Sequence, residues 1–257
     1  MKKCLLLSAT LMISVILVAQ PNKTAATPNK NSTHLKVFYQ AATSFDYNTA
    51  IMALNYYIAE QGNNTPYADT LAMLYMRQGA YLQSLYWAEL RLRSNPENVS
   101  LLEVKGVSLD KLEQPKDAIV VFEKLYGKTQ SPFYGYKLME LQYSLKRLLE
   151  CDATANSAEK LTYKPEYVMS YDLGQQGTRN TYLQAMVYNI HGLALYDMDR
   201  KAEAKGYFAK AISLDSNFVL ARQNFDAMSA AEKAPQQKPN PNNSNNSNTP
   251  NNPANKN

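Results

Sequence analysis

One sequence pattern returns every 34 residues and constrains the fold of this chain more than any other feature. It occupies 31–64, 65–98 and 99–132 in unbroken succession, and it returns at 185–218 after an irregular stretch. A fixed period of this length is typical of stacked supersecondary units, because each unit alone cannot bury its apolar face. The pattern therefore predicts an elongated stack that presents a surface to a partner, and it favours binding over catalysis.

The repeat at 185–218 shows most clearly how such a unit would pack. It alternates large and small side chains at Tyr188, Gly192, Leu195, Ala204, Phe208 and Ala211. Two antiparallel helices can approach closely only where small residues lie at their crossing, and Gly192 and Ala204 form the small pair. We therefore predict two helices joined by a turn at 197–200.

The same alternation recurs in the three successive repeats. The residues to which we assign structural positions are Ala50 in the first repeat, Ala72, Tyr75 and Pro96 in the second, and Gly106, Ala118 and Phe122 in the third. The first half of 31–64 departs most from the pattern, as expected for a terminal repeat that caps one end of a stack.

These residues resemble the signature of the tetratricopeptide repeat family. That signature sets an aromatic residue, a glycine, a tyrosine, an alanine, a phenylalanine and a proline at fixed offsets. In the repeat at 185–218, Leu195 stands in place of the tyrosine and Ser216 in place of the proline. The resemblance implies an all-α, right-handed solenoid of about five helix–turn–helix repeats followed by a C-terminal capping helix.

Two further segments complete the predicted stack. Residues 133–166 are interpreted as a degenerate repeat, in which Asp152 occupies a place where a small residue is expected. A shift of register by one residue therefore stays open for this repeat. Apolar residues at helical spacing in 218–231 predict an amphipathic helix that seals the last repeat from water.

An insertion at 162–180 separates the degenerate repeat from the last one. Its tyrosines Tyr163, Tyr167 and Tyr171 lie four residues apart. This spacing predicts a helical turn or two before a glycine-containing loop. The insertion is a second candidate binding surface, and the alternative is a loop that only fills a bend in the solenoid.

The two ends of the chain differ in composition from the repeats. Residues 1–19 read as a secretory signal peptide, with two lysines before an apolar run that is too short to span a bilayer. Residues 20–32 read as a polar linker, 33–232 as the solenoid and 233–257 as a disordered tail rich in asparagine and proline.

The leader predicts export, to the periplasm or out of a bacterium-like cell. Cleavage after Ala19 would leave a protein that is not integral to the membrane, and a retained N-terminal anchor is the alternative. Cys151 would then be the only cysteine left, so no internal disulfide can form. We expect Cys151 to act as a small buried hydrophobe.

The side chains needed for catalysis are sparse in this chain. His34 and His191 have no neighbouring histidine or cysteine, so the sequence predicts no metal site, and His191 is interpreted as a buried, hydrogen-bonded residue. No phosphate-binding loop or nucleophile elbow is present. We expect no cofactor and no enzymatic activity. The full chain has a net charge of +5, and cleavage after Ala19 would remove Lys2 and Lys3 and leave +3. This charge is dispersed along the chain and gives no basic footprint for nucleic acid.

Binding of another protein or peptide is the leading functional hypothesis. In the family that this chain resembles, the first helix of each repeat lines a concave groove. Carried over to this sequence, the resemblance implies a groove formed by Leu35, Tyr39, Met73, Met76, Arg77, Lys137, Leu141, Asn189 and Tyr196. Leu35 and Tyr39 stand where one branch of the family clamps the carboxylate tail of heat-shock chaperones, so that clamp is absent.

The groove hypothesis makes the protein a scaffold of the cell envelope that takes up an extended or helical partner segment. Three alternatives stay open. The first is a carbohydrate-binding envelope protein that stacks sugar rings on Tyr163, Tyr167 and Tyr171. The second is an enzyme subunit that uses the insertion as a lid, and the third is self-association through the open solenoid ends.

Overall fold

A computed structural model describes residues 32–233 of the chain. The helices are α1 (Thr33–Thr43), α2 (Tyr47–Gln61), α3 (Pro66–Arg77), α4 (Tyr81–Leu92), α5 (Val99–Lys111), α6 (Pro115–Thr129), α7 (Pro132–Ser144), α8 (Leu148–Ala158), α9 (Leu183–Asp197), α10 (Lys201–Leu214) and α11 (Val219–Lys233). Two short strands, β1 (Val168–Asp172) and β2 (Thr178–Tyr182), lie between α8 and α9. The predicted all-α solenoid is confirmed, with one small hairpin inserted into it.

Some predictions concern parts of the chain that the structure does not describe. The signal peptide at 1–19, the linker at 20–32 except Ser32, and almost all of the tail at 233–257 lie outside the described residues. Within 32–233, none of the helices combines the length and apolarity needed to cross a bilayer.

Consecutive helices pack against each other along the whole described chain. Each odd-numbered helix from α1 to α9 packs on the helix that follows it, and each pair then packs on the first helix after it. In addition, α3 contacts α5 and α7 contacts α9. The first helices therefore form one layer, called here the inner layer (α1, α3, α5, α7 and α9), and α2, α4, α6, α8 and α10 form the outer layer.

The turn inside each pair fixes the register of the stack. Each turn contains one residue with positive φ, namely Phe45, Gly79, Glu113, Lys146 and Asp199. The first three recur at the 34-residue period, whereas Lys146 comes one residue early. The fourth pair is therefore shifted by one residue relative to the interval 133–166.

This shift corrects the interpretation of Asp152. Cys151, not Asp152, occupies the small position of the fourth pair, where it is fully buried. Its Sγ lies 3.5 Å from the carbonyl oxygen of Met139. Ser84 occupies the equivalent position in the second pair and donates to the carbonyl oxygen of Ala72 at 3.0 Å.

Small residues at the helix crossings are buried as the packing argument requires. Ala50, Ala72, Ala118, Ala204 and Ala211 have no exposed surface, and Phe122 and Phe208 are almost fully buried. A Cβ built on Gly192 would lie 2.6 Å from Cε1 of Phe208, and one on Gly106 would lie 3.0 Å from Cε2 of Phe122. Glycine at these two places lets the paired helices approach.

Two assigned structural residues are less buried. Tyr75 is half-buried and its hydroxyl accepts a hydrogen bond from Nδ2 of Asn55 at 3.1 Å, which ties α3 to α2. Pro96 is exposed in the turn between α4 and α5, and its carbonyl oxygen accepts from Nζ of Lys124 at 3.0 Å.

The helical interpretation of the insertion was wrong, because its central part is a β-hairpin. Val168 pairs with Tyr182, and the antiparallel register continues to Asp172 opposite Thr178. Met169 and Tyr171 are buried while their neighbours are more exposed, so burial alternates with the period of two that a strand requires. Gly174 and Gly177, both with positive φ, permit the tight turn between the strands.

The hairpin joins the core of the last helix pairs. The rings of Tyr171 and Phe218 meet edge to face, with their centroids 5.1 Å apart. Tyr171 is buried and Tyr163 and Tyr167 are half-buried, with Tyr167 packed on Phe133. These three tyrosines therefore form no exposed platform for a sugar ring.

Candidate binding surface on the inner helices

The predicted groove residues divide into an accessible group and a buried group. Tyr39 and Tyr196 are exposed by 53% and 44%, Arg77 is exposed, and Met73 and Met76 are half-buried. In contrast, Leu35, Leu141 and Asn189 are exposed by at most 4%. Placing these three residues on an accessible groove was wrong.

Each buried residue has a physical reason for its position. Leu35 packs with Leu54 and Ile58 of α2 in the core of the first pair. Because the fourth helix pair is shifted by one residue, Leu141 faces the hydrophobic core to which Leu138 also belongs. Asn189 is covered by α11, whose Asn224 donates from Nδ2 to its Oδ1 at 3.0 Å.

Lys137 was also assigned to the groove, but its ammonium group is occupied. It lies 2.7 Å from Oδ2 of Asp110 and 2.6 Å from Oε2 of Glu140. Burial opposes its charged form, yet the two carboxylates outweigh this and raise the pKa of Lys137. The lysine therefore joins α5 to α7 and does not offer a free positive charge to a ligand.

A pair of tyrosines forms one end of the accessible surface. The hydroxyl groups of Tyr39 in α1 and Tyr67 in α3 are 2.8 Å apart. The Tyr67 ring packs edge to face on Tyr57, which is buried, and burial raises the pKa of Tyr67. The pair bridges two inner helices and keeps the ring of Tyr39 on the surface.

The two methionines continue this surface along α3. Met73 and Met76 pack with one side against the core that Ala72, Ala88 and Leu101 share, and the rest of each side chain is accessible. Thioether side chains adapt their shape to different apolar partners. Tyr39, Tyr67, Met73, Met76 and Arg77 are called the inner patch below.

Beyond the inner patch, the inner layer is occupied by its own polar contacts. Tyr134 of α7 donates to Oε2 of Glu103 in α5 at 2.9 Å, and burial raises the pKa of Glu103 although this hydrogen bond opposes the effect. Lys146 lies 2.7 Å from Oδ2 of Asp197. Glu103 and Asp197 of the inner layer therefore already have partners within the stack.

A second polar cluster lies where the fourth and fifth pairs meet. His191 is 1% exposed, and its Nδ1 and Nε2 lie 2.6 Å from Glu159 and 2.7 Å from Asp152. Each ring nitrogen of His191 therefore lies within hydrogen-bond distance of a carboxylate oxygen. Arg200, just before α10, and Tyr207 of α10 complete the cluster, which links α8, α9 and α10.

Sequence reasoning missed two features of this surface. Tyr67 lies outside the positions that the repeat pattern marks, and only its distance to Tyr39 shows that it belongs to the patch. Asp69 of α3 holds Nε of Arg91 at 2.5 Å, and burial raises the pKa of Asp69. No local sequence pattern predicts either contact, because each contact joins residues that are more than 20 positions apart.

Comparisons with solved structures identify the same architecture. A structure of MamA aligns with a TM-score of 0.59 and 16% identity over 71% of this chain and 90% of that chain. MamA from Desulfovibrio magneticus RS-1 aligns with a TM-score of 0.58 and 16% identity, over 72% and 95% of the two chains. YrrB, described as a TPR protein with an unusual peptide-binding site, aligns with a TM-score of 0.60 and 15% identity, over 74% and 89%.

No protein-family model and no curated protein matches the sequence. Identities of this size establish the fold alone. The successive helix pairs of this chain and its alignment with YrrB, a TPR protein, agree on one architecture. The described part of the chain therefore has the fold of the tetratricopeptide repeat family.

Proposed function

We propose that the protein binds a segment of another protein along the inner patch. The observation that carries this proposal is the group of aromatic and thioether side chains that stays accessible on α1 and α3. Tyrosine supplies a large contact area with a polar tip, and methionine adapts to apolar side chains. The peptide-binding site named for YrrB supports this choice by analogy of fold.

The patch is suited to an extended or helical segment with apolar side chains. The fixed position of Tyr39 lowers the entropy lost on binding, because its hydroxyl is already held by Tyr67. Arg77 at the end of α3 adds one positive charge. The middle of the inner layer contributes less, because Lys137 and Glu103 are engaged within the stack.

A comparison of two serine variants tests the proposal. The first replaces Tyr39, Met73 and Met76, and its matched control replaces Met52, Tyr56 and Tyr86 of the outer layer, which are exposed by 52%, 57% and 60%. Both remove two kinds of side chain, aromatic and thioether. Thermal unfolding of each variant establishes that it is folded.

Recovery of partners from native extract is then compared between the two variants and the unaltered chain. We expect a partner that the unaltered chain and the outer-layer control retain and that the inner-patch variant loses. A partner lost equally from both variants, or kept by both, would contradict binding at the inner patch.

We also propose that the protein is exported and acts in the periplasm or outside the cell. The support is the leader-like composition of 1–19, with Lys2 and Lys3 before the apolar run. The mass of the protein purified from its own cells tests this. A mature chain that starts at Gln20 is expected, and a chain that retains residues 1–19 would contradict cleavage.

A further inference from the structure

Hydrogen bonds anchor the β-hairpin to the helical stack. Thr181 donates from Oγ1 to Oδ2 of Asp215 at 2.7 Å, and the Tyr171 hydroxyl accepts from the backbone N–H of Val219 at 3.3 Å. These contacts fix the two strands to the residue that follows α10 and to the first residue of α11. A strand that is held in place in this way needs little further ordering when it binds a partner.

The register of the hairpin leaves one edge of β2 open. The N–H of Leu183 donates to the carbonyl oxygen of Tyr167, and the N–H of Leu173 donates to the carbonyl oxygen of Gly177. Between these two ends of the hairpin, hydrogen-bonded pairs of facing residues alternate with pairs that are not hydrogen-bonded. The alternation points the N–H and C=O groups of Thr178 and Asn180 away from β1. Both residues are exposed, and no hydrogen bond among the described residues occupies these backbone groups.

An open cleft of about 370 Å³ lies between the hairpin and the start of α11. Its charged residues are Arg179 of β2 and Arg222 and Asp226 of α11. One guanidinium N–H of Arg222 donates to the carbonyl oxygen of Ser216 at 3.2 Å. Within 32–233, no carboxylate forms an ion pair with Arg179 or Arg222, so the cleft carries an excess of positive charge.

We propose that β2 and this cleft form a second binding site, which takes an extended polypeptide segment of another protein with an acidic side chain. The segment pairs with the outward backbone groups of Thr178 and Asn180, as in β-strand addition. Its carboxylate enters the cleft and pairs with Arg179 and Arg222. The charge of the cleft selects an acidic side chain over a basic or an apolar one.

The test uses a displayed library of random eight-residue peptides, selected on the full chain. Asn180→Pro removes the outward N–H and places a ring on the open edge. The backbone hydrogen bonds between the strands stay intact, and only the side-chain bond from Oγ of Ser170 to Oδ1 of Asn180 is lost. A second variant, Arg179→Glu with Arg222→Glu, reverses the charge of the cleft. Lys36→Glu with Lys116→Glu is the matched control, because both lysines are exposed on helices far along the chain from the hairpin.

We expect the selected peptides to share an acidic residue flanked by β-branched or aromatic residues. Their affinity should fall at least tenfold for Asn180→Pro and for the double charge reversal, and it should not change for the lysine control. Serine at Tyr39 and Met76 should leave their binding unaltered. If Asn180→Pro unfolds, as judged by circular dichroism, the charge-reversal variant decides alone.

Three results would overturn the proposal. The first is selected peptides without an acidic preference, and the second is peptides that bind the charge-reversal variant as well as the unaltered chain. The third is a library that yields no peptide dependent on the hairpin. A dimer of the chain that Asn180→Pro dissociates would assign the open edge to a second copy and not to a foreign segment.

Discussion

Replacing Gly192 by alanine should destabilise the protein although glycine is a poor helix former. The new Cβ would lie 2.6, 2.8 and 3.0 Å from three ring atoms of Phe208. Carbon atoms prefer separations of about 3.5–4.0 Å, so the ring would have to move by roughly 1 Å. Phe208 is 1% exposed and packs with Leu195, Ala204 and Met228, which leave it little room.

The magnitude follows from two opposing effects. Overpacking a well-filled core costs about 1–3 kcal/mol. Alanine returns about 1 kcal/mol through its higher helix propensity. We expect a net loss of up to about 2 kcal/mol, which lowers the Tm by roughly 4–8 °C in a domain of this size.

Gly206→Ala is the matched control for this prediction. Gly206 lies inside α10, and a Cβ there would meet nothing within 4 Å. Only the propensity effect remains, so this variant should be more stable by about 0.5–1 kcal/mol. Both are measured by urea unfolding, and Gly192→Ala at or above the stability of Gly206→Ala would refute the packing argument.

A double-mutant cycle isolates the contact itself. Phe208→Leu alone should destabilise the protein, because it leaves a cavity in the core. In the Gly192→Ala background it should cost less by about 1 kcal/mol, since it removes the ring atoms that the new methyl group meets. Additive effects of the two changes would show that the loss has another origin.

Three further predictions use turns and titratable groups. Gly79→Ala should lower the free energy of unfolding in urea by about 1–2 kcal/mol, because φ at Gly79 is 79° and alanine is strained in this left-handed conformation. A Cβ added there would meet nothing within 4 Å, so steric contact adds no further cost. An unchanged unfolding midpoint would contradict this. Burial, together with the charge of Asp152, raises the pKa of Cys151 to about 12, so a thiol reagent at pH 8 should modify the unfolded chain and not the folded one. Although burial opposes it, hydrogen bonds from His191 and Arg200 lower the pKa of Asp152. Its contribution to stability should therefore be present above about pH 4, where the unfolded carboxyl is ionised, and should be lost as the pH falls through the folded pKa. Asp152→Asn should weaken the acid dependence of the Tm, and an identical pH profile for both proteins would contradict this.

The sequence predicted the helix pairs because their determinants are local and periodic. Gly192, Ala204 and Phe208 meet at one crossing, and short turns with a positive-φ residue join the two helices. Each pair repeats the positive-φ turn and, five residues after it, a small buried residue (Ala50, Ser84, Ala118, Cys151 and Ala204), so this signal survives many substitutions.

The fourth pair shows the limit of a fixed period. One residue fewer before Lys146 moves Cys151 into the small position and turns Leu141 into the core. The acidic side chain of Asp152 at a place where a small residue is expected left this shift open, but the sequence pattern alone could not decide it. The packing of Cys151 on Met139 decides the register, and that contact is tertiary.

The hairpin was missed for a related reason. Tyr163, Tyr167 and Tyr171 lie at helical spacing, yet only Tyr171 belongs to a strand. The burial of Met169 and Tyr171 against Phe218 overrides that local spacing, because Phe218 comes from the segment before α11. Likewise, Asn189 is buried where Asn224 of α11 contacts it.

Site-specific photo-crosslinking tests the central claim, binding at the inner patch, most directly. A photoreactive phenylalanine analogue replaces Tyr39 in one protein and Tyr56 in another, since these tyrosines are similarly exposed, by 53% and 57%, but lie on the inner and outer layers. Irradiation in native extract should yield a crosslinked partner from position 39 and none from position 56. The same crosslink from both positions, or from position 56 alone, would contradict the proposed binding surface.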